Sequence, residues 1–395
     1  MLFFCAGTGY IDIEESLAFF YGKQLPHLID SGKGRPALRQ LSSPGITAPR
    51  NYNVDLIKLL SCLAVIGLHV FYNKNSVASS VIYYLCGFSV PSFFMSTGYF
   101  VMNRQTADRT YAVRKFLGLL RLLLLWDVLE FGIRVIIRAA RGQDLSAFGP
   151  AGLARAVVRS IIQKGGLWDT MWHFWYLAAL MILYLLLPLL YRLYVGDQSP
   201  DDRFSSLFRL WAGLALVGIL AQLISYCIGQ PFQKFFCQTF RLWTWLQYLV
   251  LGGLAPRLRT AAEKRLPLPL HGLCLFLMTV YVMVYQNIVG RGLLHNLYAE
   301  YFYDDAFTVF WVLLLYTFLL RVPIPRLLHR ILEIMSPLTL GIYIVHPLFL
   351  KAVRTYYPSA GLKVALITYL AVFAASALSV LIISRIPVIR KLVSA

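Results

Sequence analysis

One long apolar stretch carries two ionisable side chains at a spacing that invites chemistry. It reads Asn53-Val-Asp55-Leu-Ile-Lys58-Leu-Leu-Ser61-Cys-Leu-Ala-Val-Ile-Gly67-Leu-His69, with the lysine and the histidine eleven residues apart. At about 100° per residue, eleven steps complete three turns with roughly 20° over, so both side chains leave one helix face about 16 Å apart along the axis. Ionisable groups inside a membrane span are costly, and each is a functional candidate until a structural role explains it. Lysine offers a fixed cation to phosphate oxygens. Imidazole, with an unperturbed pKa of about 6.5, accepts a proton at neutral pH. Asp55 lies three residues before Lys58, close enough to hold it in a local ion pair. Ser61, Ala64 and Gly67 are small and allow a neighbouring helix or a narrow ligand to come close. The plainer alternative is that Lys58 snorkels to the headgroups and His69 bonds to a neighbouring helix.

Other polar groups sit in or beside apolar runs. Asp127, Glu130 and Arg134 occupy neighbouring faces of one run and are expected to form an internal ion-pair cluster rather than to touch substrate. Trp172, Trp175 and Tyr176 fit an interfacial aromatic belt or a platform for a sugar ring. His173 and His346, the latter followed by Pro347, fit helix packing. From Tyr298 to Asp305, Glu300, Asp304 and Asp305 alternate with tyrosines, a composition suited to carbohydrate, although a solvated loop is the default.

The elements that must position these groups are membrane helices. The 395 residues are 58% hydrophobic and only 14% charged, more apolar surface than one soluble core can hide. A span needs about 20 predominantly apolar residues. Several segments qualify, and ten apolar runs recur, near 54–72, 79–102, 116–137, 173–194, 207–229, 240–255, 267–287, 304–320, 333–351 and 362–383. The sixth is the shortest and is expected to end at Gly252, Gly253 and Pro256. The expectation is an all-α, polytopic integral membrane protein of about ten transmembrane helices.

The net charge of +19 reads as topology rather than nucleic-acid binding, because Lys and Arg collect in cytoplasmic loops. Placing both termini in the cytoplasm puts Arg104 to Lys115, Arg257 to Arg265, Arg321 to Arg330 and Arg385 to Lys391 inside, while the linker from Asp197 to Arg203 is acidic. The basic connection 138–172, with Lys164, lies outside and is expected to carry an amphipathic surface helix through Leu153, Val157, Val158, Ile161 and Ile162. Residues 1–50 read as a flexible cytoplasmic extension ahead of a transmembrane domain at 51–395, and show no cleavable secretory signal. Cys5, Cys62, Cys86, Cys227, Cys237 and Cys274 lack metal-site spacing or a disulfide framework, and no metal is expected.

In order and spacing the chain resembles acyltransferase family 3, membrane proteins that acylate carbohydrates and other envelope components. That family's first helix has an aspartate, an arginine three residues on, and a histidine eleven beyond; here these are Asp55, Lys58 and His69. Lysine keeps the cation and loses the planar fork. Phe93-Phe-Met-Ser96-Thr97-Gly98-Tyr99-Phe100 resembles the Phe-Phe-x-x-Ser-Gly-Phe segment, with Thr97 in the serine position. His173-Phe-Trp175-Tyr176-Leu177, followed by Tyr184 and Pro188, resembles the Trp-Tyr/Phe-Leu span, and Leu340-Gly-Ile-Tyr343-Ile-Val-His346-Pro347 the late Tyr-x-x-His segment. Where the family often has two arginines three apart, Gly118 precedes Arg121, and Arg114 and Lys115 stand nearby. The resemblance covers about residues 50–385.

The resemblance implies a membrane O-acyltransferase, most simply an O-acetyltransferase, in the cell (inner) membrane. It implies His69 as base or acyl carrier, and Lys58, Arg121, Lys115 and Arg114 as the binding set for acetyl-CoA or another acyl-CoA. Asp55, Thr97, Trp175, Tyr176, Tyr343 and His346 stand as substrate-binding candidates. The acceptor would be a hydroxyl of a cell-envelope glycan or a lipid-linked glycan. The competing reading is a transporter or flippase for a lipid-linked glycan, which should show internal repeats; none is clear.

Overall fold

The structure is a computed structural model. It describes residues 50–394 apart from 74–75, 105–106, 163–170, 197 and 357–360. The amino-terminal extension to residue 49, Cys5, Lys164 and Asp197 lie outside the described residues. The described residues form helices and connecting turns, without strands.

The sequence sets the helix ends. The first helix, α1 (Tyr52–Val70), begins where the Asn51 side chain accepts from the Val54 amide, and Asp55 lies in its first turn. Then come α2 (Val77–Leu85), a 3-10 turn at Cys86–Phe88, and α3 (Ser89–Val101). A long α4 (Arg109–Ala140) is capped by Asp108 and followed by α5 (Pro150–Ile162), inside the connection expected to carry an amphipathic helix. Next are α6 (Trp175–Tyr194), α7 (Pro200–Ile228), α8 (Leu242–Arg265) and α9 (Leu268–Gly292). The series closes with α10 (Ala306–Arg321), whose first amides donate to Asp305, then α11 (Arg326–Met335), α12 (Thr339–Tyr356) and α13 (Gly361–Arg385).

All ten apolar runs fall on helices. Seven helical stretches are long and apolar enough to cross a membrane: Tyr52–Val70, Val77–Val101, Trp172–Tyr194, Pro200–Ile228, Leu268–Gly292, Arg326–Thr355 and Gly361–Arg385. The chain is therefore a multi-pass, all-α membrane protein. The other three runs lie on α4, α8 and the shorter α10. Burial sorts the bundle: 61% of the best apolar window in α1 is buried, against 17% in α9 and 22% in α13. The first helix is thus central, while α9 and α13 turn residues such as Phe276, Ile288, Ile367 and Leu370 outward.

The run expected to stop at Gly252 and Gly253 instead continues through Pro256 to Arg265. These glycines are packing surface rather than punctuation. A Cβ on Gly252 would lie 2.0 Å from the carbonyl oxygen of Met95, and one on Gly98 would lie 1.8 Å from that of Leu249. The backbones of α3 and α8 therefore touch, as small-residue faces permit. The glycine of the Ser96-Thr97-Gly98 segment finds its physical reason there.

Candidate functional site

At its N-terminal end α1 presents Lys58, whose Nζ is 3.0 Å from Asp55 Oδ1. Asp55 is buried and also accepts a 2.6 Å bond from Ser336 Oγ, at the junction of α11 and α12. The carboxylate thus fixes the lysine and ties α1 to the late helices. Lys58 lines a cavity of about 300 Å³ together with Lys115, Thr97, Phe100, Tyr176 and Tyr343. The Thr97 hydroxyl donates back to the Phe93 carbonyl at 3.1 Å. Arg114 and Arg121 stand apart: both are exposed, neither lines this cavity, and Arg121 reaches the Ser394 carbonyl at 3.4 Å.

Aromatic side chains lie between that cavity and the histidine. Tyr176 packs edge-on to Phe94 at 4.9 Å and to Tyr343 at 5.3 Å between ring centroids. The Tyr343 hydroxyl donates to the His173 carbonyl. Both tyrosines, with Trp175 and His69, also line a narrow chamber of about 50 Å³. Trp175 and Tyr176 are buried here, stacked into the bundle interior rather than placed on an interfacial belt.

Three imidazoles meet at the far end of α1. The His69 ring stacks on His346, with centroids 5.3 Å apart and planes 17° apart, and meets Trp172 edge-on at 4.9 Å. His173 lies 5.7 Å from His346. Carbonyls only accept, so two tautomers are set by bonding: His346 Nδ1–H donates to Tyr343 O at 2.7 Å, and His173 Nε2–H to Ile344 O at 3.2 Å. His346 Nε2 and His173 Nδ1 are left as buried acceptors without a partner among the described residues. Buried polar atoms are rarely left so; His173 lines the small chamber beside His69, whereas His346 lines none of the three cavities. The described residues include no group of His, Cys, Asp or Glu able to hold a metal ion.

Beyond His69 the space widens to a cavity of about 700 Å³, walled by Tyr72, Trp172, Tyr298, Glu300, Tyr301 and Arg354 among others. Tyr72 and Tyr298 stack at 4.8 Å with planes 1° apart. Burial, with Glu300 nearby, pushes the Tyr301 phenol up to about 12, so it stays a neutral hydrogen-bond donor across the physiological range. The small chamber shares Tyr176 and Tyr343 with the Lys58 cavity, and His69, Trp172, Glu300 and Tyr303 with this larger one.

The stretch from Tyr298 to Asp305 is not a solvated loop. Asp304 is fully buried and pairs with Arg241 at 3.4 Å, while also accepting from Trp243 and Gln233 and taking a 2.5 Å bond from Thr244. Arg241 in turn donates to the Glu300 carbonyl at 2.9 Å, clamping the segment that walls the large cavity. Sequence reasoning missed this pair because Arg241 and Asp304 sit at the ends of apolar runs, where charges read as loop residues. It missed Arg354 for the same reason. The expected polar cluster on α4 is present: Arg134 pairs with Glu130 at 3.0 Å, and Ser160 donates to Asp127 at 2.8 Å, attaching α5 to α4.

Fold and site together define a helical multi-pass membrane protein in which one central helix carries a cation into one cavity and an imidazole into the next. The family model described as Acyltransferase domain, that of acyltransferase family 3, matches residues 51–385, and the chain belongs to that family of membrane acyltransferases. Comparison with curated proteins and with solved structures gives no match.

Proposed function

We propose that this protein is an O-acyltransferase of the cell (inner) membrane that moves an acyl group, most simply acetyl, from cytoplasmic acyl-CoA to a hydroxyl of a cell-envelope carbohydrate or lipid-linked glycan. The observation that carries this reading is the run of adjoining cavities along α1, from Lys58 through the Tyr176 and Tyr343 chamber to His69. Lys58 and Lys115 suit the phosphates of the donor by charge-assisted hydrogen bonds, and the aromatic walls suit its extended arm. Arg114 and Arg121 stand further out and act as a cationic approach. Thr97, Tyr176 and Tyr343 flank the arm, and Trp175 backs the chamber.

His69 takes the proton of the acceptor hydroxyl as its oxygen attacks the thioester carbonyl, and returns that proton to the departing thiolate sulfur. A second route begins with attack by the imidazole on the thioester carbonyl, breaking its C–S bond and expelling the CoA thiolate; the acceptor hydroxyl then attacks the acyl-imidazole, freeing His69 and giving up its proton to the thiolate. His346, fully buried and stacked on the His69 ring, holds that imidazole in place. Asp55 acts at a distance by holding Lys58. The seven apolar helices together with α4, α8 and α10 make ten crossings, and the basic loops put the Lys58 end and both termini on the cytoplasmic side. The flippase reading would leave the donor intact, so turnover separates the two. Purified protein supplied with acetyl-CoA and envelope glycans is expected to release CoA, and His69→Ala to abolish release while its thermal unfolding stays that of the parent. Undiminished CoA release by a folded His69→Ala variant overturns the proposal.

A further inference from the structure

Resting on the reading just given, we infer that the acceptor carries an anionic group, a carboxylate or a phosphate, next to the hydroxyl that is acylated, and that Arg354 is the residue that binds it. Arg354 lies in the last turn of α12 and lines the large cavity beside His69, but not the small chamber that opens toward Lys58. It therefore faces the acceptor side of the imidazole, not the side from which the thioester would arrive.

Its position is fixed. One guanidinium nitrogen donates to the His69 carbonyl oxygen at 2.7 Å, pinning the end of α12 to the end of α1 and setting the cation at the imidazole's own turn. Guanidinium has five N–H donors in a planar fork that matches two oxygens of one anion. No described carboxylate pairs with Arg354, whose one hydrogen bond among the described residues is that to His69. A half-buried cation that no described carboxylate pairs with is costly, and an anionic ligand relieves that cost.

The rest of the wall agrees in charge and shape. Lys234 adds a second cation, and Glu300 is the one carboxylate among the described lining residues, so the formal balance of Arg354, Lys234 and Glu300 is two positive against one negative. The parallel Tyr72 and Tyr298 rings and the Trp172 indole offer apolar faces to a sugar ring. An acidic sugar or a sugar phosphate meets both demands, whereas a neutral sugar leaves Arg354 unmatched.

The test reads binding, so its outcome does not depend on acyl transfer being observed. Isothermal titration of the purified full-length protein is done with three probes: methyl glucuronide, glucose 1-phosphate and methyl glucoside. Wild type is expected to bind at least one acidic probe about tenfold or more tightly than the neutral one, the gain of one charge-assisted contact. Comparing the two acidic probes separates carboxylate from phosphate. Arg354→Gln is expected to erase the preference, and Arg354→Lys to keep part of it. If Arg354→Gln fails to fold by thermal unfolding, the partial loss in Arg354→Lys carries the test. His69→Ala is expected to retain the preference, so failure of the chemistry and failure of anion selection are read separately. Equal binding of all three probes by wild type, no binding of either acidic probe, or a preference undiminished in the folded Arg354 variants overturns the inference.

Discussion

Lys58→Met is the sharpest perturbation of the donor reading, because the lysine has two separable jobs. The structural job is the contact with Asp55 at 3.0 Å, in which the lysine side chain is 29% exposed and the aspartate side chain 9%. A fully buried pair that loses one partner costs about 3–5 kcal/mol. Here the lysine reaches solvent and Asp55 keeps its 2.6 Å bond from Ser336, so the loss of stability is expected to fall below that range. On the donor reading, the functional job of Lys58 is a charge-assisted bond to phosphate, worth about 1.5–3 kcal/mol. At about 1.4 kcal/mol per tenfold, its removal raises the donor KM by roughly 10- to 150-fold. Initial rates of CoA release against acetyl-CoA concentration measure the second job, and thermal unfolding in detergent measures the first. The variant Lys58→Met with Asp55→Asn is expected to recover stability without recovering the donor KM, and Lys58→Arg to keep both. A donor KM unchanged in Lys58→Met, or restored by adding Asp55→Asn, would refute the assignment of Lys58 to the donor.

Three other substitutions probe the frame. Asp304→Ala leaves Arg241 charged and unpaired at zero exposure, and a loss of about 3–5 kcal/mol is expected, with Arg241→Met and Asp304→Leu together costing less than either single change; additive costs by thermal unfolding would show that the pair is not coupled. Gly98→Ala must push α3 from α8, because its Cβ meets a backbone oxygen; a cost at or above the usual overpacking range of about 1–3 kcal/mol is expected, and a parental unfolding temperature would contradict the contact. Tyr343→Phe removes the bond to the His173 carbonyl, and a loss of about 0.5–1.5 kcal/mol is expected in the same measurement.

Much of the fold was legible because membrane helices write themselves into sequence as apolar length, and each of the ten runs lies on a helix. The relation of Lys58 to His69 was legible too, since helical periodicity alone puts eleven-residue neighbours on one face. What periodicity cannot encode is which other helices pack beside that face. Lys115 and Arg121, six residues and about 600° apart, leave faces about 120° apart on one helix, and it is packing that turns the Lys115 face to the cavity and the Arg121 face to Ser394. Gly252 and Gly253 looked like a stop because glycine lowers helix propensity, a local rule overridden by the backbone contact with α3. Charges at the ends of apolar runs were the hardest to read. Arg241, Asp304 and Arg354 resemble snorkelling or loop residues in sequence, and only the packing turns them inward.

The sizes of the three cavities give the site a direction. About 300 Å³ beside two lysines suits one arm of a donor, about 700 Å³ among tyrosines, Trp172, Glu300 and Arg354 suits a larger polar acceptor, and the chamber at His69 that shares walls with both is only about 50 Å³. By that measure a water needs about 10–15 Å³, so the chamber holds a few waters or one small acyl group and little else. On the proposed reading, a chamber of this size would let the reacting carbon of a short acyl chain meet the imidazole while both larger partners stay on their own sides. On the same reading, Tyr176 and Tyr343, which line both the Lys58 cavity and the chamber, are expected to limit the length of the acyl chain that reaches His69.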